Sequence, residues 1–288
     1  MRRLTDFLLP EVPLARVACL RAIVYAFVLV DVWALSNDVL RHAMIPEFYA
    51  PLLLPRLLGI GPVTHAGAVL LLALVTASAL IAMSGRLPRI SGWVVAGSFW
   101  CWMFYSQGYG YVAHDHMALM IAVLVLPTVG AAGFREAETS RAAGWALRCI
   151  QIAVVLTYFF SVWSKWVRSG TLAEWANGAV FVWAIMRRGT PLITWTLSFP
   201  WLLVIAQWCL LIVEILSPVA LFLKGRWLYL TVGFFMLFHL ATFLSLGISF
   251  LPTVICWAAF LPLERVLWRL RPGLAPHQTP VPPLDARS

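Results

Sequence analysis

The chain has 288 residues, of which 62% are hydrophobic, 14% aromatic and only 11% charged. A soluble domain carries roughly 25% charged residues, so this composition excludes a water-soluble fold and points to an integral membrane protein. The formal charge of +9 does not indicate nucleic acid, because the arginines fall in short clusters between apolar runs rather than along one basic face.

In chain order, residues 1–13 are predicted to be a short cytoplasmic segment, interrupted by Pro10 and Pro13 and lacking the features of a cleavable signal. Apolar runs follow at 14–35, 63–84, 91–108, 115–134, 144–165, 199–223, 227–246 and 249–264. Most approach the roughly 20 residues a helix needs to cross a hydrocarbon core about 30 Å thick. The predicted fold is therefore an all-α polytopic bundle of about eight transmembrane helices. The last run contains Pro252 and Pro262, which interrupt it.

Two connections, 36–62 and 166–198, are longer than a turn requires and rich in aromatic and apolar residues. They are expected to form interfacial or re-entrant segments roofing a cavity. Residues 266–288 read as a proline-rich, disordered cytoplasmic tail. The five cysteines all fall in candidate spans without metal or disulfide spacing, and pack as small apolar groups.

Alternating the eight runs places Arg2, Arg3, Arg16, Arg86, Arg89, Arg135, Arg141, Arg148, Lys224, Arg226, Arg265, Arg269, Arg271 and Arg287 at one set of ends. The other set has Arg41, Arg56, Lys165, Arg168, Arg187 and Arg188. Cytoplasmic loops carry the excess of positive residues, which predicts that both termini are cytoplasmic.

Ionisable residues inside spans cost a few kcal/mol on insertion scales, so each needs a partner or a wet cavity. Arg21 and Asp31 lie ten residues apart, about 15 Å along a helix, and cannot pair with each other. Arg21 is expected in an interhelical ion pair, with Glu214 as the candidate. Asp31 reads equally as an interfacial carboxylate or a site residue. Glu214 is placed about 20 Å from the start of its span, well away from Lys165. Pro218 leaves the carbonyl of Glu214 without its helical partner, and Glu214 reads as part of a structural polar cluster.

His239 reads as either a packing histidine or one of three groups converging with "YVAHDHM", which holds His114, Asp115 and His116. The i, i+2 histidines do not share a helix face, so no metal is expected. Lys165 in "YFFSVWSKWVRSGTLAEW" has two readings. It can snorkel to the headgroups as an anchor, or it can be desolvated by Tyr158, Trp163, Trp166 and the roof and act as a base.

Several stretches together resemble the membrane module of vitamin K-dependent gamma-carboxylases, also found in bacterial horizontally transferred transmembrane (HTTM) domain proteins. The resemblance covers most of residues 14–265. It rests on "RAIVYAFVLVD", "RIS" at 89–91, "HDHMALMIAVLVL", "IQIAVVLTYFFSVWSKWVRSGTLAEWANG", "QWCLLIVEILSP" and "FHLATFLSLGISF". It implies an enzyme of the carboxylase and epoxidase kind, a carbon–carbon lyase or oxidoreductase, in the cytoplasmic membrane of a bacterium.

By the same resemblance Lys165 is the general base and His116 its electrostatic helper. His239, Trp175, Tyr158 and Asp31 then bind the cofactor, and Arg21 and Glu214 are structural polar residues. The implied cofactor is a lipid hydroquinone such as vitamin K or menaquinol. The implied partners are membrane lipids or quinone and a secreted peptide or small protein. Ser164 stands where the family has a second lysine, and the resemblance does not extend to the family's large luminal substrate-recognition domain, so peptide docking and carboxylation of protein glutamates are not themselves implied. The alternatives are a non-carboxylating HTTM protein that assists maturation or export of a peptide toxin, and a lipid-binding scaffold.

Overall fold

The computed structural model describes residues 2–276, and among them it is helical almost throughout. The exception is an antiparallel pairing of β1 (Val12–Pro13) with β2 (Thr139–Ser140). Five helices are long and apolar enough to cross a membrane: Leu14–Leu35, His65–Met83, Arg141–Ser169, Pro200–Leu221 and Gly225–Leu246. A sixth would be the bent pair Leu251–Phe260 and Leu263–Leu270, which turns by 85° at its break. Large apolar side chains such as Leu70, Leu230 and Leu237 stand exposed along these helices, as expected where the surrounding solvent is lipid.

The helices used below are α1 (Leu14–Val30), α2 (His65–Met83), α3 (Pro88–Ser106), α4 (Met117–Val125), α5 (Arg141–Ser169), α6 (Ala179–Arg188), α7 (Pro200–Leu216), α8 (Gly225–Leu246), α9 (Leu251–Cys256) and α10 (Leu263–Leu270). Three of the eight predicted runs differ from full-length apolar spans, the last of them, 249–264, being the bent pair. Helix α3 matches α2 in length, but Pro88 and Arg89 at its start dilute its hydropathy. The run predicted over 115–134 is shorter, because Pro127 tightens the chain into a 3-10 turn over Leu126–Val129 and Gly130 then takes φ 77°.

Helix ends follow local chemistry. Thr64 and Ser140 accept hydrogen bonds from the backbone N–H groups of Gly67 and Ala143 at the starts of α2 and α5. Helix α8 stops at Gly247, in the left-handed conformation (φ 66°) that glycine adopts without steric cost. Helix α1 continues into a π-helical turn over Asp31–Leu35, the kind of local widening often found where a helix carries function.

Long-range contacts sort the chain into two ends. At the first, Arg16 forms a two-point ion pair with buried Glu264 (2.8 and 2.9 Å), Arg148 donates to the Phe7 carbonyl, and Trp268 donates to the Phe134 carbonyl. At the second, Ala50 donates to Gly108, Thr253 to Asp115 and Thr190 to Ser245. The Trp268 contact lies within α10, so the expected disordered tail from 266 is corrected as far as Leu270, where packing onto the first end keeps the chain helical. Residues 277–288 lie outside the described part.

The core is built mainly from α1, α2, α3, α4 and α5, joined by Phe235 of α8 and by Trp257 just after α9, with Trp102, Trp257, Tyr25 and Phe99 among its largest buried side chains. Close approach depends on small residues, as is usual between membrane helices. A side chain at Gly144 would run into the Pro10 carbonyl.

Candidate functional site

Helix α5 presents Tyr158, Ser161 and Lys165 along one face, at i, i+3 and i+7. On α7 the buried residues are Leu203, Gln207, Leu211 and Glu214, a stripe of the same helical period. Where these faces meet, the Lys165 ammonium donates to Glu214 Oε2 and the Ser161 hydroxyl donates to Glu214 Oε1 at 3.2 Å. The two charged side chains retain 14% and 9% of their exposure.

This pairing overturns three expectations. Glu214 is not remote from Lys165; it is not the partner of Arg21; and Lys165 does not snorkel. The reason is the connection 170–199, whose helix α6 packs against α7 and α8, so the early part of α7 has its own partners and the α5 contact falls fourteen residues into α7. Pro218 does free the Glu214 carbonyl from its usual partner, and Ser217 fills it through its hydroxyl at 2.8 Å and its backbone N–H.

Trp175 closes over the pair, with the Lys165 ammonium 4.6 Å from its ring centroid. The Trp175 carbonyl is held by Gln207 Nε2 at 2.9 Å, while Gln207 Oε1 is buried without a partner among the described residues. Ser161 and Gln207 were not singled out in the sequence. The signal that could have found them is their spacing: each sits three to seven residues from an intramembrane ion on the same helix face.

Seven residues before Lys165, about 10 Å along α5, the Tyr158 hydroxyl lies 2.6 Å from His239 Nε2 and accepts from Trp257 Nε1 at 3.0 Å. With the tyrosine hydroxyl donating, His239 Nε2 is the acceptor and the ring proton resides on Nδ1. That atom is buried without a partner among the described residues. His239 lines a cavity of about 230 Å³ that is otherwise walled mainly by apolar groups, including Met236, Phe243, Phe250, Leu251 and Val254.

A third cluster surrounds His116. Its Nε2 lies 2.8 Å from fully buried Asp31 and its Nδ1 lies 3.2 Å from Asp115. Asp31 leaves the helical path at the π turn, where Ser36 also donates to it at 2.9 Å and Trp102 donates to Ser36. A doubly protonated imidazole satisfies both carboxylates. Asp31 is therefore buried and paired within the bundle. With both ring nitrogens engaged by carboxylates, His116 has no hydrogen bond to Lys165.

The convergence expected for "YVAHDHM" and His239 is present in altered form. Phe250 lies between the rings of exposed His114 (6.2 Å) and His239 (5.2 Å), and Thr253 donates to the Asp115 carbonyl. Arg21 is buried far along α1 from these groups and, among the described residues, donates only to the Gly130 carbonyl, at 2.7 Å. No group of three or more His, Cys, Asp or Glu side chains able to hold a metal occurs among the described residues.

The arrangement combines a largely buried ion pair that can hold and pass a proton with a mainly apolar cavity that His239 lines. Comparison with protein families, curated proteins and solved structures finds no match to this chain.

Proposed function

We propose that this protein is an integral membrane enzyme similar to the membrane module of vitamin K-dependent gamma-carboxylases, acting on a lipid hydroquinone at the second end of the bundle. The observation that carries the proposal is the continuity of one α5 face. It bears Lys165, paired with Glu214, and Tyr158, paired with His239 beside the apolar cavity.

A mainly apolar cavity lined by one histidine suits an amphiphile with a ring oxygen and a hydrocarbon body, and this fits a quinone-class group. His239 and Tyr158 would hold its polar head, and Phe250 and Met236 its apolar part. When bound, a hydroquinone supplies two electrons and a weakly acidic hydroxyl. Lys165 holds a proton at Nζ, and Glu214 is the adjoining carboxylate able to take it, leaving an amine lone pair under the Trp175 ring. Trp175 and Gln207 keep water from that amine. The Asp31–His116–Asp115 chain is a second proton-holding unit at the same end. The reading also includes eight crossings, cytoplasmic termini and a site on the opposite face of a bacterial inner membrane.

The test is to purify the protein in detergent, identify co-purifying lipids by mass spectrometry and measure oxygen-dependent conversion of added hydroquinone. Turnover abolished in Lys165→Ala and Lys165→Arg supports the proposal. Absence of both bound quinone and turnover overturns it. The closed state of the ion pair favours the readings without carboxylation, either an HTTM protein that assists maturation or export of a secreted peptide toxin or a lipid-binding scaffold; such a protein would keep its lipid and lack turnover.

A further inference from the structure

Behind the His239 cavity, on the opposite side of α8, lies a second and larger space of about 400 Å³ between α6, α7 and α8. Its walls include Phe181, Ala184 and Ile185 of α6, Leu203 of α7, and Phe238 and Leu246 of α8. The hydroxyls of Thr196 and Thr242 face it but are already donated to the carbonyls of Ile193 and Phe238, at 2.6 and 2.9 Å. Ser245 also lines it, and the rest of the lining is mainly apolar, so the groove suits a hydrocarbon chain.

Polarity appears at one end only. The α6 residues facing the groove, 181, 184 and 185, continue at helical spacing to Arg188, and Arg187 adjoins it. Two residues further on, Thr190 donates its backbone N–H to Ser245 and its hydroxyl to Leu244, fixing this end of α6 to the groove-lining end of α8. Arg187 and Arg188 are both exposed, and neither forms a salt bridge to a carboxylate of the described residues. Arg187 lies 5.2 Å from the Trp183 ring centroid, and Trp183 is itself exposed, as interfacial tryptophans are.

An apolar slot ending at two unpaired guanidinium groups matches the charge and shape of one lipid class, because guanidinium binds phosphate through paired N–H donors. We infer that the α6–α7–α8 groove is a binding site for an anionic phospholipid, with an acyl chain in the groove and the phosphate at Arg187 and Arg188. The site uses neither Lys165 nor His239, so it stands independently of the hydroquinone proposal.

The test is native mass spectrometry of the full chain released from nanodiscs of mixed phosphatidylglycerol and phosphatidylcholine. The wild type is expected to retain phosphatidylglycerol above its share of the bilayer. The Arg187→Gln/Arg188→Gln variant is expected to lose this enrichment by roughly thirtyfold, since each of the two basic residues near a lipid surface contributes about 1 kcal/mol. Arg187→Lys/Arg188→Lys should retain most of it, and Ala184→Trp, which fills the groove, should lose it with both arginines present. Monodispersity and thermal unfolding confirm folding of each variant. Unchanged enrichment in the Gln double variant or in Ala184→Trp, in a folded protein, overturns the site. Equal retention of both lipids by the wild type does so as well.

Discussion

Lys165 and Glu214 neutralise each other at the contact of α5 and α7, and Ser161 holds the carboxylate oxygen that Lys165 leaves free. Removing one partner strands the other as a buried charge, which costs about 3–5 kcal/mol, whereas replacing both with apolar side chains is close to neutral. Thermal unfolding in detergent should therefore show lower midpoints for Lys165→Met and Glu214→Leu, and recovery in the double variant. Hydroquinone turnover should be absent in all three. Turnover in the double variant would show that the pair is structural only.

Tyr158→Phe deletes one hydroxyl but leaves two groups unsatisfied, His239 Nε2 and Trp257 Nε1. A cost of about 1–3 kcal/mol is expected, with weaker retention of bound quinone. His239→Phe, which keeps the ring volume, should lose quinone with less change in unfolding temperature. Equal quinone retention in both variants would remove the polar head from this cavity.

Asp31→Asn leaves His116 between one carboxylate and one amide, in place of two carboxylates. The expected outcome is a change in the His116 ring resonances as one of its two carboxylate partners becomes an amide, read by NMR of histidine-labelled protein. An unchanged spectrum would mean that Asp115 alone maintains the ring.

Gly144→Val places side-chain atoms against the Pro10 carbonyl, in a contact that backbone alone can fill. Overpacking of this kind costs about 1–3 kcal/mol. Protease sensitivity of the N-terminal segment should rise, because Arg148 and Phe7 meet on the same surface.

The Arg16–Glu264 pair ties both terminal regions to one end of the bundle. Reporter fusions at the N- and C-termini should therefore report the same side, the cytoplasm if the arginine excess sets orientation. Opposite sides would require an odd number of crossings.

Composition alone established an integral membrane, all-helical chain, because so much apolar area cannot be solvated and a helix satisfies its own backbone in lipid. The candidate ions were equally legible: Arg21, Asp31, His116, Lys165, Glu214 and His239 stand out against apolar neighbours, and all but Lys165 are buried. Their pairing was not. Depth estimated from helix rise put Glu214 far from Lys165, because that arithmetic assumes every helix starts at the same level, and the packing of α6 against α7 and α8 removes the assumption. Likewise Asp31 and His116 lie 85 residues apart and meet only because the π turn and the α4 entry face each other. Residue type and helical period are local properties written in the chain; partners across helices are chosen by interhelical packing, which only the tertiary structure decides.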